Sequence, residues 1–386
     1  MKCKNLINLV DKFNEHNIIA TLTLKPENIV FIHENYEEQV KEFEKIKNYL
    51  EVKLPSVVID GALVDRVSGR KIHEIINKYS SKDTIVNISG GSKIMSLMAY
   101  QAAENCNIIT IFIDVDNKKV LRVNAGEIHE FNSNFKDLDV KDFIASTGGE
   151  IIHDSTSLVN NEQIQEYVRY IIENLDVWDE LKRILKDSTI VTHDKTVLDT
   201  VIINLEAIEE DHKKRFQGFI NKLKELNLIH ITNMNDSNLI VKFTSLDAKT
   251  ILFKTGTWLE VLVYEVIKEI KEVSDVKGGV VFLWDGNVRY VKNEIDVIAA
   301  ANSQLIYVSC KDTEKYDENT LNELQVYADK LGGREVRKIL VATKESEKRS
   351  LKLRAEEMGI HLIIFSGNIE ELKEKLSKVI KEAGSK

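Results

Sequence analysis

Four polar residues sit at the ends of two short apolar runs, in Glu294-Ile-Asp296-Val-Ile and in Tyr307-Val-Ser309-Cys310-Lys311. The runs Val297 to Ala299 and Leu305 to Val308 read as buried strands joined through an Ala/Asn/Ser turn, Ala300 to Ser303. Such a hairpin sets Asp296 beside Ser309 and Lys311, because alternate side chains share a face. A carboxylate and an ammonium at the edge of a buried hairpin are costly unless they hold each other or a metal. The first reading is a strand-end ion pair. The second is chemistry: an acid that binds Mg²⁺ and a lysine that positions a water or a phosphate are the minimum for phosphodiester hydrolysis. Glu294, two residues before Asp296, shares its face, and Glu260 in Gly256-Thr-Trp-Leu-Glu260 offers a further carboxylate from a preceding helix.

A second cluster lies near the other end of the chain, in Asn87-Ile-Ser89-Gly90-Gly91-Ser92-Lys93-Ile-Met95. Its glycines let backbone amides approach a ligand closely, and the helix N-terminus that follows favours anions. Ser89, Ser92 and Lys93 add donors and a positive charge. The spacing is neither that of a P-loop nor that of a dinucleotide fingerprint, and a tight turn with a solvated lysine is the simpler reading.

The elements that would position these residues fall into three stretches, expected as domains at 1–150, 151–250 and 251–386. In the first, strands at Lys4 to Val10, Asn28 to His33, Ser56 to Asp60, Thr84 to Ile88 and Ile108 to Asp114 alternate with helices. Those helices are Glu15 to Leu24, Glu37 to Leu50, Val64 to Tyr79 and Ile94 to Asn105. The alternation predicts a mostly parallel, doubly wound sheet, with ligands beyond the carboxyl ends of its strands. The middle stretch has helices at Glu162 to Lys186 and Lys213 to Asn227, then a hairpin from Leu228 to Phe243, which resembles a winged helix. A connector that never touches DNA fits as well, since no recognition pattern stands out. The third stretch runs helix (Trp258 to Lys271), three strands, helix (Asn319 to Lys330), strand (Lys338 to Thr343), helix and strand. Gly332-Gly333 is expected to end its second helix in left-handed backbone.

Composition narrows the class. The 386 residues are 43% hydrophobic, enough for several cores, and the net charge of −9 argues against a broad basic surface. Cys3, Cys106 and Cys310 show no metal-ligand spacing or pairing, which points to a reducing cytoplasm, with Cys310 turned into a core. No run approaches a membrane span, and the first ten residues do not read as a signal peptide.

The third stretch resembles the core of PD-(D/E)xK nucleases, with Asp296 at the first acid and Lys311 at the lysine. Ser309 stands where the second acid is expected. The glycine loop, with Lys25-Pro26-Glu27-Asn-Ile-Val-Phe-Ile, is similar to CARF domains, the sensors of cyclic oligoadenylates in type III CRISPR defence. Gly-Thr-Trp-Leu-Glu260, Asn293-Glu-Ile-Asp-Val297, Val-Ser-Cys-Lys311, Leu331-Gly-Gly333 and Arg354-Ala355 with Gly359-Ile360 look like landmarks of CARF-containing CRISPR ancillary nucleases. The resemblance runs along nearly the full chain, and in that group a serine before Cys-Lys is acceptable.

The resemblance implies an α/β architecture: a Rossmann-like CARF domain, a winged-helix-like middle and a PD-(D/E)xK restriction-endonuclease-like domain. It implies a cytoplasmic homodimer that cleaves DNA, RNA or both with Mg²⁺ or Mn²⁺ and is activated by cyclic tetra-adenylate. Glu260 and Asp296 would hold the metal, the Ser309 region would add an oxygen ligand, Lys311 would act on the water or phosphate, and Glu294 would bind a second metal or orient a water. Ser89, Gly90, Gly91, Ser92, Lys93 and Met95 would bind the ring, with Asp11 and Asn14 at the same rim and Thr21 and Asp114 further away. Two other classes stay open: a ligand-responsive winged-helix transcription regulator with an inactive nuclease fold, which Ser309 favours, and a small-molecule nucleotide enzyme that uses the Gly90-Gly91-Ser92-Lys93 loop catalytically.

Overall fold

The computed structural model of the protein describes residues 3–65, 68–234, 237–254, 256–284, 291–332 and 336–381. Its first third alternates β1 (Asn5–Leu9), α1 (Glu15–Leu24), β2 (Asn28–Glu34), α2 (Glu37–Lys53), β3 (Val58–Val64), α3 (Gly69–Lys78), β4 (Thr84–Asn87), α4 (Lys93–Asn105) and β5 (Ile109–Asp114). The hairpin β6 (Lys119–Asn124) and β7 (Glu127–Glu130) and the helix α5 (Val140–Ser146) follow. The sheet runs β3-β2-β1-β4-β5-β6-β7, parallel as far as β5. Both faces are covered, so its inner strands are buried on both sides rather than alternating between core and solvent, with Asn8 and Asn87 among the buried polar exceptions. Leu6, Ile29 and Phe31 face a core with α1 and α2, while Ile7, Leu9, Val30 and Val86 face one with α3 and α4.

Two expectations here need correction. Val64 is not helical: it ends β3, and α3 starts at Gly69, where the Ser68 hydroxyl accepts from the Lys71 amide. The antiparallel β6–β7 extension was not expected, because its residues are mostly polar and β7 is exposed along its length.

The chain then crosses to a second sheet. The strand β8 (Glu150–His153) pairs with a strand more than a hundred residues later, so the expected boundary at 150 falls on a strand that belongs with the C-terminal sheet. Helices α6 (Thr156–Val159), α7 (Glu162–Glu173) and α8 (Leu175–Lys186) follow. One long helix was expected over 162–186. Asn174 breaks it, donating its side-chain amide to the Tyr170 carbonyl and separating α7 from α8. A four-stranded antiparallel sheet comes next, built from β9 (Val191–His193), β10 (Thr200–Asn204), β11 (Ile229–Met234) and β12 (Asn238–Phe243), with α9 (Glu210–Glu225) preceding the β11–β12 hairpin. The helix-then-hairpin order matches the winged-helix-like expectation, and β9 and β10 extend it.

The last third holds α10 (Leu246–Phe253), α11 (Thr257–Lys268), β13 (Val273–Leu283), β14 (Lys292–Ala301), β15 (Gln304–Lys311), α12 (Glu318–Leu331), β16 (Arg337–Ala342), α13 (Ser350–Glu357), β17 (Ile360–Ile364) and α14 (Ile369–Lys381). The sheet order is β17-β16-β15-β14-β13-β8. The β14–β15 turn is tighter than expected: Asn302 and Ser303 alone make it, at φ 51° and 54°. Paired positive φ values are those of a type I′ hairpin turn, whose twist matches the flanking strands. Gly332 corrects another expectation. Its φ of −82° is extended, not left-handed, and glycine is needed because a Cβ would lie 1.9 Å from Val336, while Gly333 lies outside the described residues.

Gly279 sits in the middle of β13, between the register pairs Gly278–Val297 and Val280–Ile295, and so opposite Asp296. Its φ is +54°, and an added Cβ would lie 2.8 Å from the Ser155 Cβ. This break in the pleat lies where the cores change sides: Ile295 packs on the α12 face and Val297 on the α11 face. Asp296 lies between them, on an interior strand and opposite this break. Gly279→Val is therefore expected to destabilise the protein by about 2–4 kcal/mol, from left-handed strain and the clash together. Urea unfolding checks this. A midpoint equal to that of the native protein would mean that no left-handed residue is required there.

Candidate active site

Glu260, Asp296 and Lys311 come from three elements and converge on one cavity of about 280 Å³. Glu260 stands in the first turn of α11, where the helix N-terminus favours an acid. The residue is nonetheless only 9% exposed. Burial first, and the Asp296 charge second, push its carboxyl up to about 7, against the pull of Lys254 and Lys311. Burial also raises Asp296. The Lys311 ammonium, 4.0 Å away, opposes this, as do hydrogen bonds from the Cys310 amide at 2.7 Å and the Ser309 hydroxyl at 3.2 Å. The hairpin thus delivers the juxtaposition its spacing predicts. Cys310 points into the opposite core, where burial drives its thiol well above the usual range.

Glu294 lines the same cavity from a more exposed position and accepts a hydrogen bond from Lys254 at 2.9 Å. The Lys254 ammonium is also 3.9 Å from Glu260. Burial would lower its pKa, but Glu260, Glu294 and Asp296 together raise it. Lys254 was missed from sequence because it closes α10, a short helix with no clear periodic face. From α12, the Tyr327 hydroxyl lies 2.5 Å from Glu323 and 3.2 Å from the Glu294 carbonyl. Glu323 and Tyr327, four apart on a helix and so on one face, were a legible pair that the sequence reading passed over.

Two buried carboxylates of raised pKa facing one cavity are an environment that a divalent cation relieves. Among the described residues, no group of three or more His, Cys, Asp and Glu side chains is gathered to hold a metal. A cation there would take Glu260, Asp296 and neutral oxygens, of which the Ser309 hydroxyl is one.

The glycine loop occupies the carboxyl end of β4, against the β1–α1 loop. Gly90 packs so closely that a Cβ would lie 2.3 Å from the Leu9 carbonyl, and Gly91 has φ +75°. Beneath them a buried amide network joins Asn8, Asn17 and Asn87, and Asn87 holds the Ser89 hydroxyl at 2.6 Å. Asn14 accepts from Asn17 and from the Asp11 amide, which brings Asp11 and Asn14 to the same rim. The Ser92 hydroxyl caps α4 and Lys93 is exposed. Met95 differs from the expectation. At 2% exposure, it packs into the core with α3 and α4. Thr21 is fully buried, and Asp114 binds Asn117 in its own loop.

The tip of the β14–β15 hairpin, whose far end carries Asp296 and Lys311, is hydrogen-bonded to the N-terminal unit. The Gln304 side-chain amide donates to Asp116 at 3.0 Å, and the Ser303 hydroxyl to Asp137 at 2.8 Å. On the other side, the Ser89 hydroxyl accepts from the Ile113 amide at 2.7 Å. A cavity of about 210 Å³ between the two units is lined by His16, Ser89, Asp114 and Gln304, among others.

Family models match both ends of this architecture: the Card1 CARF domain over residues 6–143 and the Card1-like endonuclease domain over residues 247–383. The chain joins a Card1 CARF domain to a Card1-like endonuclease domain. Solved structures agree in fold across the full length. Protein VC1899 from Vibrio cholerae is 18% identical, with TM-score 0.77 and 99% of each chain covered. Can2 from Sulfobacillus thermosulfidooxidans, solved in complex with cyclic tetra-adenylate, is 18% identical, with TM-score 0.70 and 98% of each chain covered. A type III CRISPR defence DNA nuclease activated by cyclic oligoadenylate is 14% identical, with TM-score 0.57, matched over 98% of this chain and 52% of its own. No curated protein matches the sequence. The Glu260–Asp296–Lys311 cavity lies in the endonuclease domain and the glycine loop in the CARF domain. No helix among the described residues is long and apolar enough to cross a membrane.

Proposed function

We propose that the protein is a nuclease of type III CRISPR antiviral defence, cleaving DNA or RNA when its CARF domain binds a cyclic oligoadenylate. The observation that carries this is the meeting of Glu260, Asp296 and Lys311 in one cavity of an endonuclease domain, in a chain that also carries a CARF domain. Cyclic tetra-adenylate is the favoured activator, supported by its presence on the similarly folded Can2. A ring with two-fold symmetry suits a cleft between two identical domains, so the working form is a homodimer. The units are taken as a sensor (1–150), a connector (151–250) and a nuclease (251–386), with β8 contributed to the nuclease sheet. Its three cysteines are free, which supports a cytoplasmic setting.

When bound, Mg²⁺ or Mn²⁺ supplies Lewis acidity, lowering the pKa of a water and drawing charge from the leaving oxygen. Glu260 and Asp296 would hold the ion, with the Ser309 hydroxyl as a neutral ligand. Lys311 positions the attacking water and neutralises charge building on the phosphate. Glu294, tied to Lys254, orients a water or holds a second ion. At the sensor, Asp11, Asn14, Ser89, Gly90, Gly91, Ser92 and Lys93 form the ring-binding rim, and Met95 supports it from the core. Activation requires that the ring bind the cleavage-ready arrangement more tightly than the resting one. The Gln304–Asp116 and Ser303–Asp137 contacts give sensor movement a direct route to the catalytic hairpin.

The test is incubation of the purified protein with labelled DNA and RNA, Mn²⁺, and cyclic tetra- or hexa-adenylate. Activator-dependent cleavage is expected. Promoter binding without cleavage would instead support a transcription regulator, the reading that the serine at 309 favours. In the same assay, Lys93→Glu should cut activation at least about 10-fold, because it sets a negative charge against the ring phosphates, while cleavage without activator persists. Unchanged activation would remove Lys93 from the sensor site.

A further inference from the structure

Asp312 follows Lys311 at the end of β15, and its carboxylate is a convergence point that the mechanism above does not use. Its side chain is 4% exposed. One oxygen accepts from the Trp258 indole at 2.8 Å, the Trp178 indole at 3.0 Å and the Lys182 ammonium at 3.0 Å. The other accepts from the Thr343 hydroxyl at 3.0 Å. Lys182 also donates to the Asp312 carbonyl at 3.2 Å and pairs with Asp179 at 2.6 Å, which in turn pairs with Lys344.

These donors belong to different elements. Trp258 lies two residues before Glu260 in the first turn of α11. Trp178 and Lys182 belong to α8, and Thr343 follows β16. An indole N–H has no second role: buried without an acceptor, it loses a hydrogen bond and gains nothing. Two indoles and an ammonium on one oxygen therefore fix two helices, α11 and α8, to the residue beside Lys311, and Thr343 on the other oxygen ties in the end of β16. Neither apolar packing nor a strand-end ion pair requires two tryptophans to meet at one carboxylate.

We propose that Asp312 is a positioning residue, setting the first turn of α11, and with it Glu260, against the strand end that carries Lys311, and anchoring both to the connector helix α8. This rests on the nuclease reading above. Groups that orient a metal-binding carboxylate are expected to affect affinity and rate together.

The test uses the full-length protein and Asp312→Asn, which keeps an acceptor oxygen for the indoles while the Thr343 hydroxyl can turn to accept from the amide. Three quantities are measured: kcat and KM on a labelled oligonucleotide with saturating cyclic tetra-adenylate, Mn²⁺ binding by titration calorimetry without substrate, and tryptophan emission. The expected result is a loss of about 10-fold in kcat with KM unchanged, Mn²⁺ binding weakened by about 10-fold, and shifted emission. Should Asp312→Asn fail to fold, Trp258→Phe removes one donor without burying a bare charge, and the same pattern is expected at smaller size. Native kcat and Mn²⁺ affinity in the folded variant overturn the proposal, as does a loss that only tracks the unfolded fraction. A wild-type protein that cleaves nothing retires the nuclease reading, and this inference with it.

Discussion

Asp296→Asn and Lys311→Ala are each expected to lower activated cleavage by ~10²-fold or more while leaving cyclic tetra-adenylate binding intact. Asp296 touches the lysine, the Cys310 amide and the Ser309 hydroxyl at once. An amide in its place keeps the volume and an acceptor for Cys310 but removes the charge that a cation requires. Lys311 is the one cation within 4.0 Å of Asp296 among the ion pairs of the described residues. Its truncation therefore leaves the carboxylate and any phosphate without their nearest cation. The sensor loop lies in a different sheet with its own buried amide network, so ring binding should persist. The measurement is single-turnover cleavage beside calorimetric titration of the ring. Full cleavage in both variants would end the catalytic assignment, whereas loss of cleavage together with loss of ring binding would point to a folding defect.

The convergence of Glu260, Asp296 and Lys311 was legible because each sits on a strongly patterned element of its own. The apolar runs around Asp296 and Lys311 admit one strand reading, and the short turn between them leaves little freedom of register. The glycine loop was legible for the same reason, since a buried strand and a clear helix flank it. What escaped was set by tertiary contacts. Lys254 reaches the site only because α10 delivers its last turn there, and nothing local in that helix announces a function. Gly279 reads as an ordinary strand glycine until its partner strand places it opposite Asp296. Strand β8 could not be assigned, because its sheet partner among the described residues, β13, lies far along the chain. Asp312 was hidden by its neighbour: beside a lysine at a strand end it reads as solvated, and only the fold brings two indoles to it.

The raised carboxyl of Glu260 makes the metal-free protein's stability fall with pH, and a single variant isolates the effect. The ordinary value is 4.5 and the folded one about 7, so between these limits the folded chain holds a proton that the unfolded chain has released. Stability then decreases as pH rises through that window, and Asp296, raised in the same direction, adds to the slope. For Glu260 the full effect is on the order of 3 kcal/mol above pH 7. Glu260→Gln cannot ionise. With chelator present it should match the native protein near pH 4.5 and exceed it by about that amount at pH 8, in urea unfolding. Mn²⁺ should remove most of that difference at pH 8, because it binds the native carboxylate and stabilises by about 2.7 kcal/mol at a hundredfold excess over its dissociation constant, while the glutamine variant gains little. At pH 5.5, where the proton competes for Glu260, the benefit from Mn²⁺ should shrink. Equal stability of the two proteins at pH 8 without metal would mean that Glu260 is already compensated by Lys254 and Lys311. The cavity would then have no excess negative charge to draw a cation in.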